Sequence, residues 1–137
     1  MVLTGRVSVH VNGTLVARGK NTVVSVGLNW VAARLAASPP AVMSHMAFGP
    51  SGVAIALSQT ALQGAEVFAR KAVTPTVLGA AITYAVSFTH AGSSVTVREV
   101  GIFNAATAGT MLTRFLPQEF TIFDTDAVEV SWTLEAS

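Results

Sequence analysis

Alternation of apolar and polar residues marks both ends of the chain as β-structure. In residues 6–11 valines occupy every second position, and a second alternating run, residues 14–20, follows directly after Asn12 and Gly13. An Asn-Gly pair between two such runs is the strongest short-range signal for a β-hairpin. Residues 127–134 alternate in the same way. The sequence therefore predicts an N-terminal hairpin and a C-terminal strand, each with one buried face.

The hydrophobic period changes after the hairpin. Apolar residues recur at helical spacing at four positions, Leu28, Val31, Ala32 and Leu35. Ser25 is a suitable N-cap, and the Ser-Pro-Pro run at 38–40 stops a helix. The pattern predicts one helix over about residues 25–37, with those four residues on its buried side.

The middle of the chain predicts further strands, of which residues 81–88 alternate most clearly. The predicted runs are 42–48, 66–73, 81–88, 94–103 and 110–116. Thr74-Pro75 is expected to separate two of them, and residues 53–64 to form a surface loop with a short helical turn at 59–62. About eight strands punctuated by Gly, Pro and Asn are typical of a mainly β fold. We expect a single domain over residues 1–137, an antiparallel β-sandwich or flattened barrel whose consecutive strands form a meander and whose helix covers one open face or edge.

The composition is poor in charge. Hydrophobic residues make up 51% of the 137 residues and charged residues 11%, against roughly 25% in soluble domains. A chain with so few charges is expected to associate, because interspersed charges normally keep a monomer soluble. The net charge of +1, from 8 basic and 7 acidic residues scattered singly, does not predict a nucleic-acid partner. No run of about twenty apolar residues predicts a membrane span, and no signal-peptide pattern is visible, so synthesis in the cytoplasm is expected.

The polar residues suggest no catalytic, cofactor or metal site. The chain has no cysteine, no Gly-x-Ser-x-Gly, no phosphate-binding glycine loop and no His-Glu-x-x-His. His10, His45 and His90 are far apart in the sequence and are interpreted as ordinary surface histidines. Asp124 and Asp126 are interpreted as a turn before the last strand, since a calcium loop brings four or more oxygen donors in a tight run.

Glu99 is the carboxylate that stands out, because alternation places it on the same strand face as Val97 and Phe103 and so directs it into the core. A buried carboxylate needs a partner, which Arg114 or Arg70 can supply. The expected arrangement is an internal ion pair between Glu99 and Arg114, not a catalytic acid, since no second carboxylate or nucleophile is placed beside it. Arg98, on the opposite face, is expected at the surface.

Phe120, Ile122 and Phe123 form an apolar group after Pro117, where a connection has little reason to be apolar unless it packs on something. Two alternatives stay open at this point: a loop that covers the core, and a contact with another subunit.

Three runs, residues 97–106, 109–114 and 126–134, together resemble a family of small tail-associated and minor structural proteins of tailed bacteriophages. In that family a strand of the form Glu-apolar-Gly-apolar-Phe-Asn leads into Gly-Thr-Met-Leu-Ala/Thr-Arg, and a Trp-Thr strand ends the chain. The residues that fit are Glu99, Gly101, Phe103, Asn104, Thr110, Met111, Leu112, Arg114, Trp132 and Thr133. The resemblance spans nearly the whole chain and is specific from about residue 97. Ile122 and Phe123 depart from it, since members have polar residues there.

The resemblance implies a virion structural protein of the tail, baseplate or tail fibre, made in the host cytoplasm, whose partners are copies of itself and neighbouring virion proteins. It implies neither catalysis nor a cofactor. The alternative is a capsid decoration or a host-glycan-binding module, which exposed aromatic residues ringed by polar ones would favour. A glycan hydrolase would need two carboxylates facing each other across a cleft, and Glu99 alone is a candidate.

Overall fold

The computed structural model describes residues 2–137, which form twelve strands and one helix. In chain order the elements are β1 (Leu3–Val11), β2 (Thr14–Lys20), β3 (Thr22–Val23), α1 (Ser25–Arg34), β4 (His45–Gly49), β5 (Lys71–Ala72), β6 (Thr74–Leu78), β7 (Ala81–Thr89), β8 (Val95–Val97), β9 (Glu99–Phe103), β10 (Met111–Phe115), β11 (Phe120–Ile122) and β12 (Ala127–Ala136). The chain is mainly β, with antiparallel sheets and one helix, which confirms the predicted fold class.

The first sheet has the strand order β2-β1-β12-β7-β6. Its β1–β2 hairpin turns at Asn12 and Gly13, whose φ angles of 51° and 81° are the positive values that a tight two-residue hairpin turn requires. Strands β7 and β12 pair from Ala81 opposite Glu135 to Thr89 opposite Ala127. Alternate residues of each strand face the core, and those between them face solvent, as the sequence predicts for the terminal strands.

The second sheet has the strand order β3-β10-β9-β4-β5, and a two-stranded ribbon pairs β8 with β11. Apolar side chains from the sheets and the ribbon form the main core, in which Trp132 is fully buried and packs edge-on against Phe115 at a centroid distance of 6.1 Å. Rings of Phe48, Phe68 and Phe88 form a second aromatic group in this core. The arrangement is a β-sandwich with the ribbon added to its core.

A third layer covers the outer face of the second sheet. It consists of α1 and the connection between β4 and β5, and it closes a smaller apolar cluster. The buried members are Val24, Ala47, Phe103 and Met111, and the side chains packed on them are Val26, Ile55 and Leu62. Strands β9 and β10 are therefore buried on both faces, as every one of their residues is.

The helix differs from its prediction in its cap, its length and its buried face. It begins at Ser25, Val24 takes the N-cap position without a side-chain hydrogen bond, and the helix ends at Arg34. Three of the four residues expected to be buried are exposed: Leu28 by 48%, Leu35 by 87%, and also Ala32. The reason is that the helix approaches β10 through Gly27. A Cβ at Gly27 would lie 2.1 Å from the carbonyl oxygen of Leu112, so the helix backbone packs directly on the backbone of β10. The helix therefore faces the sheet with Gly27, and its exposed apolar side chains lie on another side.

Four predictions for the middle of the chain were wrong in detail. In place of a strand over 66–73, only Lys71–Ala72 pairs, at the edge of the second sheet. The run 94–103 is divided at Arg98 into β8 and β9, which lie in different sheets, so the expected meander is not formed. Thr74-Pro75 begins β6, an edge strand, where a proline removes no hydrogen bond that a neighbour needs. The expected helical turn at 59–62 is absent from the described chain, and a turn lies at residues 57–58 instead.

No helix among residues 2–137 combines the length and the apolar character that crossing a membrane requires.

Candidate functional site

The buried ion pair of Glu99 and Arg114 lies on the outer face of the second sheet. Glu99 begins β9, and Arg114 on β10 lies directly across from Gly101. Both side chains are 0% exposed. The Nε and Nη2 atoms of Arg114 donate to Glu99 Oε1 at 3.0 and 2.8 Å. The structure thus brings together the two residues that the sequence suggested as an internal pair.

Every other hydrogen bond recorded for the Glu99 carboxylate comes from a backbone amide of the loop at 50–64. Oε1 accepts from Gln63 N–H at 2.8 Å, and Oε2 accepts from Gly64 N–H at 2.9 Å and from Ser51 N–H at 3.1 Å. Glycine at 49 leaves room for the carboxylate, since a Cβ there would lie 2.5 Å from Oε2. The carboxylate therefore joins β9 to both ends of this loop.

The guanidinium of Arg114 binds the same loop through carbonyl oxygens. Nη1 donates to Val53 O at 2.7 Å and to Gln59 Oε1 at 3.3 Å, and Nη2 donates to Ser51 O at 3.2 Å. A connection of this length without regular structure is uncommon in a compact domain, since such loops are usually functional or disordered. Here a buried pair with satisfied hydrogen bonds holds it against the sheet.

This geometry indicates that Glu99 has a structural role and not a catalytic one. A general acid or base must come within hydrogen-bond reach of the group with which it exchanges a proton. The Glu99 carboxylate is fully enclosed, and both of its oxygens already accept hydrogen bonds from Arg114 and the loop. The pair orders the loop and presents the loop's outer surface, and that surface is what another molecule can contact.

Arg70, the alternative partner for Glu99, serves another part of the third layer. It makes a two-point salt bridge with Glu66, with both contacts at 3.0 Å. Its Nη1 donates to the carbonyl oxygens of Ala105 and Ala108, and its guanidinium lies 3.8 Å from the ring centroid of Phe103. Arg70 thus ties the loop after β4 to the β9–β10 turn.

Of the two alternatives for the apolar group after Pro117, packing on the core applies to Phe120 and Ile122, whereas a contact with another subunit stays a prediction for Phe123. Phe120 and Ile122 are 6% and 0% exposed and belong to the main core, because residues 120–122 form strand β11 and pair with β8. The sequence suggested an irregular connection here, and the three-residue strand was too short to recognise. Phe123, which follows the strand, is 59% exposed and remains available to a partner.

Asp124 and Asp126 build the turn that follows Phe123. Asp126 Oδ2 accepts from Phe123 N–H at 2.8 Å, and its Oδ1 accepts from the side-chain amide of Asn12 at 2.9 Å. These two hydrogen bonds, the backbone one first, lower the pKa of Asp126 below its ordinary value. Asp124 Oδ1 accepts from Gly92 N–H at 3.0 Å. Phe123, Asp124 and Asp126 are called the acidic tip below.

The histidines do not form a site in the described chain. His45 Nδ1 contacts the hydroxyl of Ser44, and His90 Nε2 contacts the carbonyl oxygen of Ser93, both at 2.8 Å. Within residues 2–137 no group of three or more His, Asp or Glu side chains is arranged to hold a metal ion.

A basic groove on the outer face of the first sheet was missed in the sequence. It has a volume of about 600 Å³ and is lined by Arg6, Arg18 and Lys20. Its other lining side chains include Thr4, Ser8, Ser131, Thr133 and Glu135. The hairpin register could have revealed it, because Arg6 pairs with Lys20 and Ser8 with Arg18. The three cations are separated along the chain, and the pairing of β1 with β2 brings them to one face of the sheet.

Comparisons of the chain with protein-family models, with curated proteins and with solved structures find no match.

Proposed function

We propose that this chain is a structural subunit of a bacteriophage virion, in the tail, baseplate or tail fibre, and that it acts by assembling with copies of itself and with neighbouring virion proteins. The observation that carries the proposal is a surface with few charges and many exposed apolar side chains. Ten large apolar side chains within residues 2–137 are 45 to 87% exposed.

Some of these few charges are paired within the chain and so are not available to keep the surface polar. Of the 8 basic and 7 acidic residues, six form the three ion pairs Glu66–Arg70, Glu99–Arg114 and Arg98–Glu119. A free monomer with such a surface risks aggregation, whereas a subunit covers it with its neighbours. The rigid third layer supports this role, because a loop ordered before assembly loses less conformational entropy on binding.

The resemblance to tail-associated virion proteins is the reason for proposing that the assembly is a virion. Glu99 and Arg114 both belong to the pattern on which that resemblance depends, and they are the residues that order the loop. In this proposal the pair is part of the architecture and the chain has no catalytic role.

A host-glycan-binding or capsid-decoration module is the alternative. Sugar recognition by stacking uses exposed aromatic rings, and among the large apolar side chains exposed in residues 2–137 Phe123 is the one aromatic. A single ring makes a weak platform, so this alternative has less support than assembly.

The test is the native mass of the purified protein, measured by light scattering at two concentrations about tenfold apart. We expect a multimer, such as a trimer, a hexamer or a larger ring, whose mass is the same at both concentrations. A species of 14.1 kDa at both concentrations, the mass of one chain, would contradict assembly and favour a decoration or recognition module.

A further inference from the structure

The basic groove holds cations that the rest of the chain leaves uncompensated. Arg6, Arg18 and Lys20 are exposed and make no ion pair within residues 2–137, whereas Arg70, Arg98 and Arg114 each have a carboxylate partner. Glu135 at the rim offsets one of the three charges. The groove is therefore a concave surface with a net positive charge.

The acidic tip has the complementary features. Phe123 is 59% exposed, and the carboxylates of Asp124 and Asp126 lie beside it in a turn held by the hydrogen bonds to Gly92, Phe123 and Asn12. Aromatic side chains, including phenylalanine, are enriched at protein interfaces. At about 600 Å³ the groove falls within the usual size of binding pockets, so it can receive such a side chain.

The tip cannot fill the groove of its own chain. Asn12, at the end of the β1–β2 hairpin, donates to Asp126 and accepts from Ala127 N–H, which fixes the tip at that end of β1. Arg6 lies six residues before Asn12 on the same strand, about 20 Å away at 3.4 Å per residue. The occupant must come from outside the chain, and a second copy supplies the matching charge and ring.

We propose that the acidic tip of one copy binds in the basic groove of the next, so that the subunits join head to tail. This inference rests on the proposed assembly function and names its contact. Such a contact is heterologous, because each copy contributes a different surface. The multimer of constant mass expected above requires that the rotation between successive copies closes into a ring.

Two variants, each defective in one surface, test the contact. The groove variant carries Arg18→Gln and Lys20→Gln, which remove two charges from exposed positions on an edge strand. The tip variant carries Phe123→Ser and Asp124→Asn, and the asparagine keeps an oxygen that can accept from Gly92. The control carries Arg98→Gln and Ala33→Ser, an exposed cation and a small exposed residue outside the set of large exposed apolar side chains.

In light scattering at low salt we expect the wild type and the control to share one multimeric mass, and each single-surface variant to fall to 14.1 kDa. An equimolar mixture of the two variants should form a complex of twice that mass and stop there, because one intact tip meets one intact groove. At about 1 M salt, where the Debye length shrinks to roughly 3 Å, the mixed complex should dissociate.

The outcomes separate this contact from the proposed function. If the wild type is a multimer and the variants keep its mass, or if they lose it and do not combine on mixing, the groove-to-tip contact is overturned while assembly stands. A wild type that is monomeric at both concentrations overturns assembly and this contact together. Circular dichroism of each variant checks that a loss of mass does not come from unfolding.

Discussion

At the scale of single residues, the Glu99–Arg114 pair is the most connected polar feature of the molecule. Its guanidinium and carboxylate are fully buried, and their hydrogen bonds run to one another and to the loop at 50–64. Burial of two charges is costly, so such a pair adds little stability compared with apolar residues of similar size. What it does contribute is a defined position for the loop, since the loop amides and carbonyls have no strand partner.

Arg114→Leu should lower the free energy of unfolding by about 3–5 kcal/mol, because it leaves the Glu99 carboxylate buried without a counter-charge. The matched control is Arg98→Leu, which breaks the exposed pair with Glu119 and should cost about 0–1 kcal/mol. Urea unfolding of both variants measures the difference. Equal costs in the two variants would show that the buried pair does not hold the loop in place.

At the scale of elements, the docking of α1 depends on a backbone contact and not on an apolar stripe. Gly27 is the one buried residue of the helix, and Trp30 and Val31 pack against the main core from half-buried positions. The indole N–H of Trp30 donates to Ala41 O at 2.8 Å, which ties the helix to the segment after it. The helix thus contacts the rest of the domain through the side that carries Gly27, Trp30 and Val31, while Leu28 stays exposed.

Gly27→Ala tests this contact because helix propensity and packing predict opposite signs. In an exposed helix the change would stabilise by about 1 kcal/mol. Against the Leu112 carbonyl the new methyl has no room, so we expect a loss of about 1–3 kcal/mol in urea unfolding. Asn29→Ala, at an exposed position on the same helix, is the control and should be neutral or slightly stabilising.

At the scale of the whole molecule, three layers share one framework. The second sheet lies between the first sheet and the layer of α1 and the loop at 50–64, and β9 and β10 are buried from both sides. The charged surfaces are separated: the basic groove lies on the outer face of the first sheet, and the acidic tip lies at the turn before β12. This separation gives the molecule the polarity that head-to-tail assembly requires.

The two tryptophans lie on different elements and allow a test of cooperativity. Trp132 is fully buried on β12, and Trp30 on α1 is half-buried against the same core. In Trp30→Phe and in Trp132→Phe we expect the remaining fluorescence and the far-UV circular dichroism of the same variant to change at the same urea concentration, as in two-state unfolding. A Trp30 signal that changes at lower urea than the circular dichroism would mean that the third layer unfolds as a separate unit.

The strands that could be predicted are those with one buried face. Residues 81–88 and 127–134 alternate because each lies in a sheet with the core on one side and solvent on the other, so the local pattern carries the answer. The hairpin at Asn12 was predictable for a similar reason, since positive φ angles restrict which residues can turn there. Alternation also singled out Glu99, but β9 is buried on both faces, and Glu99 faces the loop at 50–64 while Val97 lies in the main core.

What only the tertiary structure decided depends on contacts between distant parts of the chain. The exposed side of α1 follows from the approach of Gly27 to Leu112, and the burial of Ile122 follows from pairing with β8. The order of the loop at 50–64 comes from two charges that lie 35 or more residues further along the chain. Local residue preferences do not identify such partners, because the side of a helix or loop that becomes buried depends on the segment that packs against it. The sequence by itself therefore determined the mainly β class and singled out Glu99, and the packing of distant segments determined the third layer and the acidic tip.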